Sequence, residues 1–222
     1  MTPTVDGEVH HFRTTGIYNG LSMLKDDETG SIWNHITGEA VYGPRKGESL
    51  PIYNLLHTSV EAALASDPDI SVAISDRPIR RRPMFRDRIP FLRQGFRETI
   101  VQEDTRRPTM DIGLGVWTET EARYYPMETV QENGGVLIDE FDGRRLLVYV
   151  ERQFGALAAL FTESGTAEAD GSDVRLEGGL TVRNGVVTDQ EGNRVESMRP
   201  MQMFTRWYGF ALTFPETMIF GG

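Results

Sequence analysis

The stretch VDGEVHHFRTTGIYNGLSMLKDDETGSIWN, residues 5–34, carries the strongest strand and turn signals in the chain. Strand-like segments at residues 5–12 and 17–25 flank a glycine-containing turn, and the polar turn DDETGS follows at 26–31. Apolar and polar residues alternate in the second segment, which is typical of a strand with one buried face. The stretch therefore predicts a β-rich first half of the chain.

Strand signals continue through the rest of the chain, interrupted by short helical patterns. Apolar runs of strand length occur at IGLGVW (112–117), GVLIDEF (135–141), RRLLVYVERQF (144–154) and ALAALFT (156–162). The Asp142-Gly143 pair between two of these runs indicates a hairpin turn. Helical spacing of small and apolar residues at 52–66, and again at 201–214, predicts two helices that each end before a proline.

Two segments of the chain resemble each other. ESLPIYNLLHTSVEAALASDPDISV at 48–72 and ESMRPMQMFTRWYGFALTFPETMIF at 196–220 share several identities and are preceded by similar acidic turns. This similarity predicts a duplication. We expect an α+β, mainly β fold in which two diverged β-rich repeats with short helices, related by a pseudo-twofold axis, form a single compact unit. The first repeat would span 1–76, an Arg- and Pro-rich connection 77–110 and the second repeat 111–222.

Composition places the chain among ordinary acidic globular proteins. Its 222 residues include 33 acidic and 23 basic ones, for a formal net charge of −10, and no cysteine. The lack of cysteine excludes a disulfide framework, a thiolate nucleophile and a cysteine-ligated metal site. No apolar run approaches the roughly 20 residues that cross a bilayer, and the N-terminal residues do not resemble a signal peptide. We therefore expect a soluble protein without membrane insertion, of unknown location.

Positive charge is concentrated in one segment. Ten arginines and four acidic residues lie between Arg77 and Arg107, so this segment has a net charge of +6 and the remainder of the chain one of −16. These arginines either bind an anion such as a carboxylate or phosphate, or pair with the acidic remainder of the chain. On the first interpretation, Arg106 is a candidate ligand-binding residue. Because an acidic body repels polyanions, we expect no binding of nucleic acid.

Motif residues across the chain carry a resemblance to a known family. They are Phe12, Thr15-Gly16, Asn19, the Asp-x-Glu-Thr-Gly-Ser-x-Trp string at 26–33, Thr37 to Ala40, Gly43-Pro44, Gly47, DTRRPTMDIGLGV at 104–116 and ARYYPMETV at 122–130. In this pattern the chain resembles the bacterial and archaeal domain-of-unknown-function family numbered 3179. The resemblance implies a duplicated β-rich fold and no agreed activity.

The chain also departs from the family pattern. Family members commonly carry a Cys-Pro-x-Cys-Gly-like stretch before the hallmark string, and this chain begins after that point. A redox or metal role of those thiols is therefore not expected here. Members often bear export or lipid-anchor segments as well, which are not visible in this sequence, so the resemblance does not fix a location.

The polar turn at 26–31 and its surroundings form the candidate site. The family resemblance implies that small polar groups from neighbouring strands converge on one pocket wall, as a small-molecule site requires. These groups belong to Thr15, Asn19, Asp26, Ser31 and His35. We expect His35 to act as general acid or base beside Asp26 and Thr15, because an imidazole exchanges its proton near neutral pH. The ligand-binding candidates are Asn19, Ser31, Trp33 and Arg106.

The same turn also has a purely structural interpretation. An aspartate that opens a turn often accepts hydrogen bonds from the backbone of that turn. Trp33 would then cover the edge of a core, and its indole N–H would find one acceptor.

Standard catalytic and metal-binding motifs are missing from the sequence, which contains no GxSxG, HExxH, P-loop or complete GxGxxG pattern. His10 and His11 are neighbours on a predicted strand, so their side chains should point to opposite faces and not share one metal ion. A set of His11, His35 and Asp26 could supply three ligands, but this spacing is nonspecific. We therefore assign no metal and no cofactor.

Two functions remain open. The first is a small pocket enzyme of unknown reaction, with acid–base chemistry around DDETGSIWNH at 26–35. The alternative is a non-catalytic ligand-binding or structural module. In the second repeat, DQEGNRVES at 189–197 retains an aspartate but neither tryptophan nor histidine, which favours one asymmetric site or none. The expected partners are a small-molecule ligand and a second copy of the chain, since apolar residues at 209–220 must pack on the body or on another subunit.

Overall fold

The computed structural model describes residues 3–76, 91–151 and 155–222. Its first elements are β1 (Thr4–Val5), β2 (Glu8–Val9), β3 (Phe12–Tyr18), β4 (Leu21–Asp26), β5 (Ile32–Asn34), β6 (Ala40–Tyr42), α1 (Val60–Ser66) and α2 (Gln94–Arg97). These are followed by β7 (Ile112–Trp117), β8 (Ala122–Pro126), α3 (Met127–Glu132), β9 (Val136–Phe141), β10 (Arg144–Glu151), β11 (Ala156–Phe161), β12 (Ala167–Asp170), β13 (Asp173–Leu176), a 3₁₀ turn (Glu177–Gly179), β14 (Thr181–Arg183), β15 (Val186–Thr188), β16 (Arg194–Val195), β17 (Met201–Arg206), α4 (Trp207–Thr213) and β18 (Met218–Ile219). Residues 77–90 of the predicted Arg- and Pro-rich connection lie outside the described residues.

Strands dominate the described part of the chain, and the helices in it are short. The longest of these helices, α1 and α4, have seven residues each. Within the described ranges, no helix is long and apolar enough to cross a membrane. The predicted α+β, mainly β class is confirmed, whereas the internal duplication stays a prediction.

By the density of its internal contacts, the chain divides into two compact units. The first unit comprises Met1–Leu55, Leu92–Pro126 and Met201–Gly222, and the second comprises Leu56–Phe91 and Met127–Pro200. Both units are therefore assembled from separated segments. The division of the chain after residues 76 and 110 stays a prediction.

An antiparallel sheet of the first unit has the order β3-β4-β5-β6. Its first two strands are joined at Asn19-Gly20, where both residues have positive φ, 47° and 69°. An Asn-Gly pair is a preferred two-residue hairpin turn because both residues adopt positive φ at little cost. The predicted turn at 13–16 is wrong: β3 runs through it, with only a shift of register between Thr14 and Gly16.

Another sheet of the first unit has the order β17-β7-β8-β18. The predicted C-terminal helix at 201–214 is split, because residues 201–206 pair with β7 and only Trp207–Thr213 is helical. Pairing within the sheet here overrides a helical pattern of apolar residues. The core beside this sheet is largely aromatic and comprises Trp117, Tyr124, Trp207, Phe210 and Ala211.

The other predicted helix, at 52–66, is also shorter than expected. In the structure α1 begins only at Val60, and Ser59 is its N-cap, with Oγ accepting the backbone N–H of Ala62 at 3.1 Å. A serine in this position fixes the start of a helix, because it satisfies a backbone donor that has no partner inside the helix.

The second unit contains the hairpin that Asp142-Gly143 predicted. β9 and β10 pair antiparallel on either side of this turn, whose two residues have φ of 49° and 68°. β11 continues that sheet, and a further antiparallel sheet has the order β12-β13-β14-β15-β16. The core of this unit includes Val136, Leu147, Tyr149, Ala158, Leu160, Val174, Leu176, Val182 and Val187.

The apolar C-terminal residues pack within the first unit. β18 pairs in parallel with β8, and the Phe220 ring stacks on Tyr125 with the ring centroids 5.4 Å apart. Of the two alternatives for this segment, packing on the same chain is observed. Self-association stays a prediction.

The two glycines of IGLGVW, in β7, allow close packing. A side chain at Gly113 would overlap the Tyr125 carbonyl, and one at Gly115 would overlap the ring of Phe210. Close packing thus accounts for the lack of a side chain at both residues.

We predict that Gly115→Ala lowers the free energy of unfolding by about 1–3 kcal/mol, because the new Cβ and the Phe210 ring cannot occupy the same space. Gly95→Ala is the control, since a Cβ at Gly95 meets no atom within 4 Å. Urea unfolding of the two variants measures the difference, and equal stability would contradict this account of the packing.

Candidate functional site

Asp26, the last residue of β4, is the centre of the polar turn. Its side chain is fully buried, and Trp33 donates its indole N–H to Oδ2 at 2.7 Å. The backbone N–H of Thr29 donates to Oδ1 at 2.6 Å, and the Thr29 hydroxyl lies 2.8 and 2.7 Å from the two carboxylate oxygens. The structural interpretation of the turn is confirmed: the aspartate closes the turn and the indole has its acceptor.

Electrostatics keep this buried carboxyl group ionised. Burial by itself raises the pKa of Asp26, because it disfavours the charged form. The hydrogen bonds from Trp33 and Thr29, together with the electrostatic influence of the nearby His10 ring, act in the opposite direction and hold the pKa of Asp26 below its ordinary value. At neutral pH the group is therefore a carboxylate in a place that water does not reach.

Ser31 belongs to the same network. Its side chain is buried, Oγ lies 2.7 Å from the Thr29 hydroxyl oxygen, and Oγ accepts the backbone N–H of Arg45 at 3.2 Å. The structure thus brings together three of the predicted site residues, Asp26, Ser31 and Trp33. Their polar groups bond to one another and to nearby groups of the chain.

His10 approaches the Asp26 carboxylate from the segment before β3. Its side chain is 4% exposed, and Nδ1 lies 3.6 Å from Asp26 Oδ1 and 3.9 Å from Glu28 Oε2. Both distances exceed the hydrogen-bond range, and Nδ1 has no hydrogen-bond partner among the described residues. Ligand atoms of His10, Asp26 and Glu28 all lie within 4.8 Å of one another, so these side chains are placed to hold a metal ion.

Glu28 is held from its other side by His11. The backbone N–H of His11 donates to Oε2 at 2.9 Å, and the ring nitrogen Nδ1 lies 2.7 Å from Oε1. This ring contact raises the pKa of His11 and lowers that of Glu28. Of the two neighbouring histidines, His10 is buried and His11 is exposed. The sequence analysis did not predict that the Glu28 carboxylate lies between their two imidazole rings. The sequence signal for this arrangement was the Asp-x-Glu spacing at 26–28, which places two carboxylates in the same turn.

His35 lies at the other end of the β4–β5 hairpin from Asp26. Lys25 pairs with Ile32 next to the turn, whereas His35 follows the far end of β5 and places Nδ1 2.7 Å from the carbonyl oxygen of Ser22. Four strand residues, or about 13 Å, separate Ser22 from Asp26. The structure therefore does not bring His35 and Asp26 together, contrary to the predicted convergence.

A cleft of about 400 Å³, here called the His35 cleft, opens beside this histidine in the first unit. Its lining combines apolar groups with hydroxyl groups, among them Ile17, Phe96, Met203, Thr14, Thr205 and Tyr208. Of the described residues that line it, none is an aspartate, glutamate, lysine or arginine. The His35 cleft therefore suits a small ligand without strong charge.

Neither Thr15 nor Asn19 belongs to the described lining of the His35 cleft, and neither is among the donors to the Asp26 carboxylate described above. Thr15 sits at the register shift of β3 and lines a separate groove with Tyr18 and Tyr42. Asn19, in the hairpin turn, accepts the backbone N–H of Val101 with Oδ1 at 3.1 Å. The predicted wall of five polar residues is thus distributed over the sheet, because successive residues of a strand alternate between faces and progress along its length.

Arg106 contacts groups of its own unit. Its guanidinium pairs with Asp104, with Nη2 2.6 Å from Oδ2, and donates to the carbonyl oxygens of Thr217 and Pro215 at 2.8 and 3.0 Å. It also lies over the Trp207 ring, 5.3 Å from the centroid. For Arg106, these contacts support pairing within the chain over the binding of an external anion.

Comparison with known protein families gives a match over most of the chain. A family described as "Protein of unknown function (DUF3179)" matches residues 1–217 of the chain. No curated protein and no solved structure matches it.

We predict that Asp26→Asn lowers the free energy of unfolding at neutral pH by roughly 1–3 kcal/mol, because the amide that replaces one oxygen cannot accept the donors of Thr29 or Trp33. Since the pKa of Asp26 is lower in the folded chain than in the unfolded one, the stability it contributes is present above about pH 4 and is lost as the pH falls through the folded-state pKa. Urea unfolding between pH 3 and 7 measures both effects.

The control is Asp27→Asn, which changes the exposed neighbouring carboxylate that pairs with Arg13. This variant should follow the wild type closely at neutral pH. An Asp26→Asn variant as stable as Asp27→Asn across the pH range would refute the structural role of the buried carboxylate.

Proposed function

The chain belongs to the DUF3179 family, whose description names no activity, and we propose that it is a small-molecule enzyme in which His35 transfers protons within the His35 cleft. The observation that carries this proposal is the contact between His35 Nδ1 and the Ser22 carbonyl oxygen at 2.7 Å. A carbonyl oxygen only accepts hydrogen bonds, so Nδ1 carries the hydrogen of the neutral ring. The lone pair then resides on Nε2, which is the arrangement of a general base.

The surroundings of His35 indicate the class of substrate. Apolar side chains such as Ile17, Phe96 and Met203 suit a molecule with an apolar body, and the hydroxyl groups offer hydrogen bonds to a carbonyl or hydroxyl group. Because the described lining has no permanently charged side chain, an uncharged substrate is favoured over an acid or an amine.

The proposed catalytic set is smaller than the one that the sequence predicted. The Asp26 carboxylate lies at the other end of the hairpin, where it accepts hydrogen bonds from Thr29 and Trp33. Thr15 lines a different groove. Of the predicted catalytic residues His35, Asp26 and Thr15, the proposal retains only His35. The chemistry is the removal of a proton from a bound ligand by Nε2 and its return to the same ligand or to water.

The alternative, a non-catalytic ligand-binding module, rests on the composition of the same lining. His35 and Tyr208 are the titratable groups among the described residues of the cleft, and no carboxylate accompanies them. In this case His35 would only hydrogen-bond the ligand. Its loss would weaken binding, and neither the wild type nor the variant would catalyse proton exchange.

We predict that the full chain catalyses exchange of an acidic C–H proton of small uncharged carbonyl compounds for deuterium in D₂O, and that His35→Gln reduces this exchange at least about 100-fold. Proton NMR of the compounds measures the rate. His57→Gln is the matched control, because it makes the same change at an exposed histidine that does not line this cleft, and it should exchange at nearly the wild-type rate.

A second measurement separates the two functions. Saturable chemical-shift changes on binding, weakened by His35→Gln but without proton exchange, would favour the binding module over the enzyme. If none of the compounds binds or exchanges, or if His35→Gln behaves like the wild type, both functions are excluded for this cleft.

A further inference from the structure

His10 is a buried imidazole with an open nitrogen. Its side chain is 4% exposed, and Nδ1 has no hydrogen-bond partner among the described residues. Buried polar atoms in folded proteins almost always have a partner, either a protein group, a water molecule or an ion. The identity of that partner follows from what surrounds the nitrogen.

Two carboxylates surround it, at distances that suit a shared cation. Nδ1 lies 3.6 Å from Asp26 Oδ1 and 3.9 Å from Glu28 Oε2. These separations are too long for hydrogen bonds. Two ligands bound to the same Zn²⁺ at about 2.0–2.2 Å in tetrahedral geometry are roughly 3.4 Å apart, so small side-chain movements would complete the site.

Asp26 has acceptor capacity left for such an ion. A carboxylate offers about four acceptor positions. The N–H and the hydroxyl of Thr29 and the indole N–H of Trp33 supply three protons to it. The remaining capacity is available to a metal ion, while the three donors orient the carboxylate.

Glu28 is oriented in the same way and provides access. His11 contacts both of its carboxylate oxygens, at 2.7 and 2.9 Å, and so acts as a positioning residue. The side chain of Glu28 is 35% exposed, which gives an ion a path from solvent. Two carboxylates and a neutral imidazole also match the charge and ligand preference of a divalent first-row metal.

We propose that His10, Asp26 and Glu28 form a binding site for one divalent transition-metal ion, for which Zn²⁺ is the best-fitting representative. The three side chains leave a fourth coordination position for water. This site is separate from the His35 cleft, which lies at the other end of the β4–β5 hairpin. The proposed metal site therefore does not depend on the proposed function.

The test is calorimetric titration of the chelator-treated full chain with Zn²⁺. Wild type should bind one ion per chain, and Glu28→Gln, which changes the most exposed ligand and preserves its shape, should bind at least about tenfold more weakly. Asp27→Asn is the matched control from the same turn, and its affinity should equal that of the wild type.

A second variant and a second probe complete the test. His10→Gln should also weaken Zn²⁺ binding, and Co²⁺ should give the intense visible absorption of a tetrahedral site in the wild type but not in Glu28→Gln. Lack of Zn²⁺ binding by the wild type would overturn the proposal. So would equal affinity of the wild type and Glu28→Gln, since the ion would then be bound elsewhere.

Discussion

Asp26 keeps its negative charge in a place that water does not reach, and it can do so only because Trp33 and Thr29 donate hydrogen bonds to it. An unpaired carboxylate there would be neutralised or would destabilise the fold. The Trp33 indole is buried as well, and it needs an acceptor for the same reason. Each group therefore fixes the position of the other, and together they set how the DDETGS turn closes and how β4 is aligned with β5.

This alignment also separates the groups on which the two proposals rest. The turn end of the hairpin carries the acidic pair Asp26 and Glu28 with the buried His10. The far end carries His35, fixed on the Ser22 carbonyl beside an apolar cleft. A metal ion bound at the turn end would stabilise the turn, and a ligand in the His35 cleft would have a base within reach. The two proposals thus concern different ends of one hairpin.

Local features of the fold were predictable from the sequence, whereas contacts between separate segments of the chain were not. The polar turn, the acceptor for Trp33 and the Asp142-Gly143 hairpin were predicted because each depends on residues close in sequence. The Asn19-Gly20 turn had an equally local signal that was overlooked. The predicted convergence of Asp26 and His35 is not observed. A spacing of nine residues along the chain does not show whether two side chains lie at the same end of a hairpin. The contacts of His10 with Asp26 and Glu28 join separate segments, and no periodicity indicates them.

The most direct test of this account is hydrogen exchange at the Trp33 indole, followed by NMR in the full chain at neutral pH. The buried hydrogen bond to Asp26 predicts exchange of the Nε1–H that is slowed by orders of magnitude relative to a solvent-exposed indole and that requires opening of the sheet. Exchange at the rate of an exposed indole would contradict the account, because Asp26 would then be buried without its principal donor.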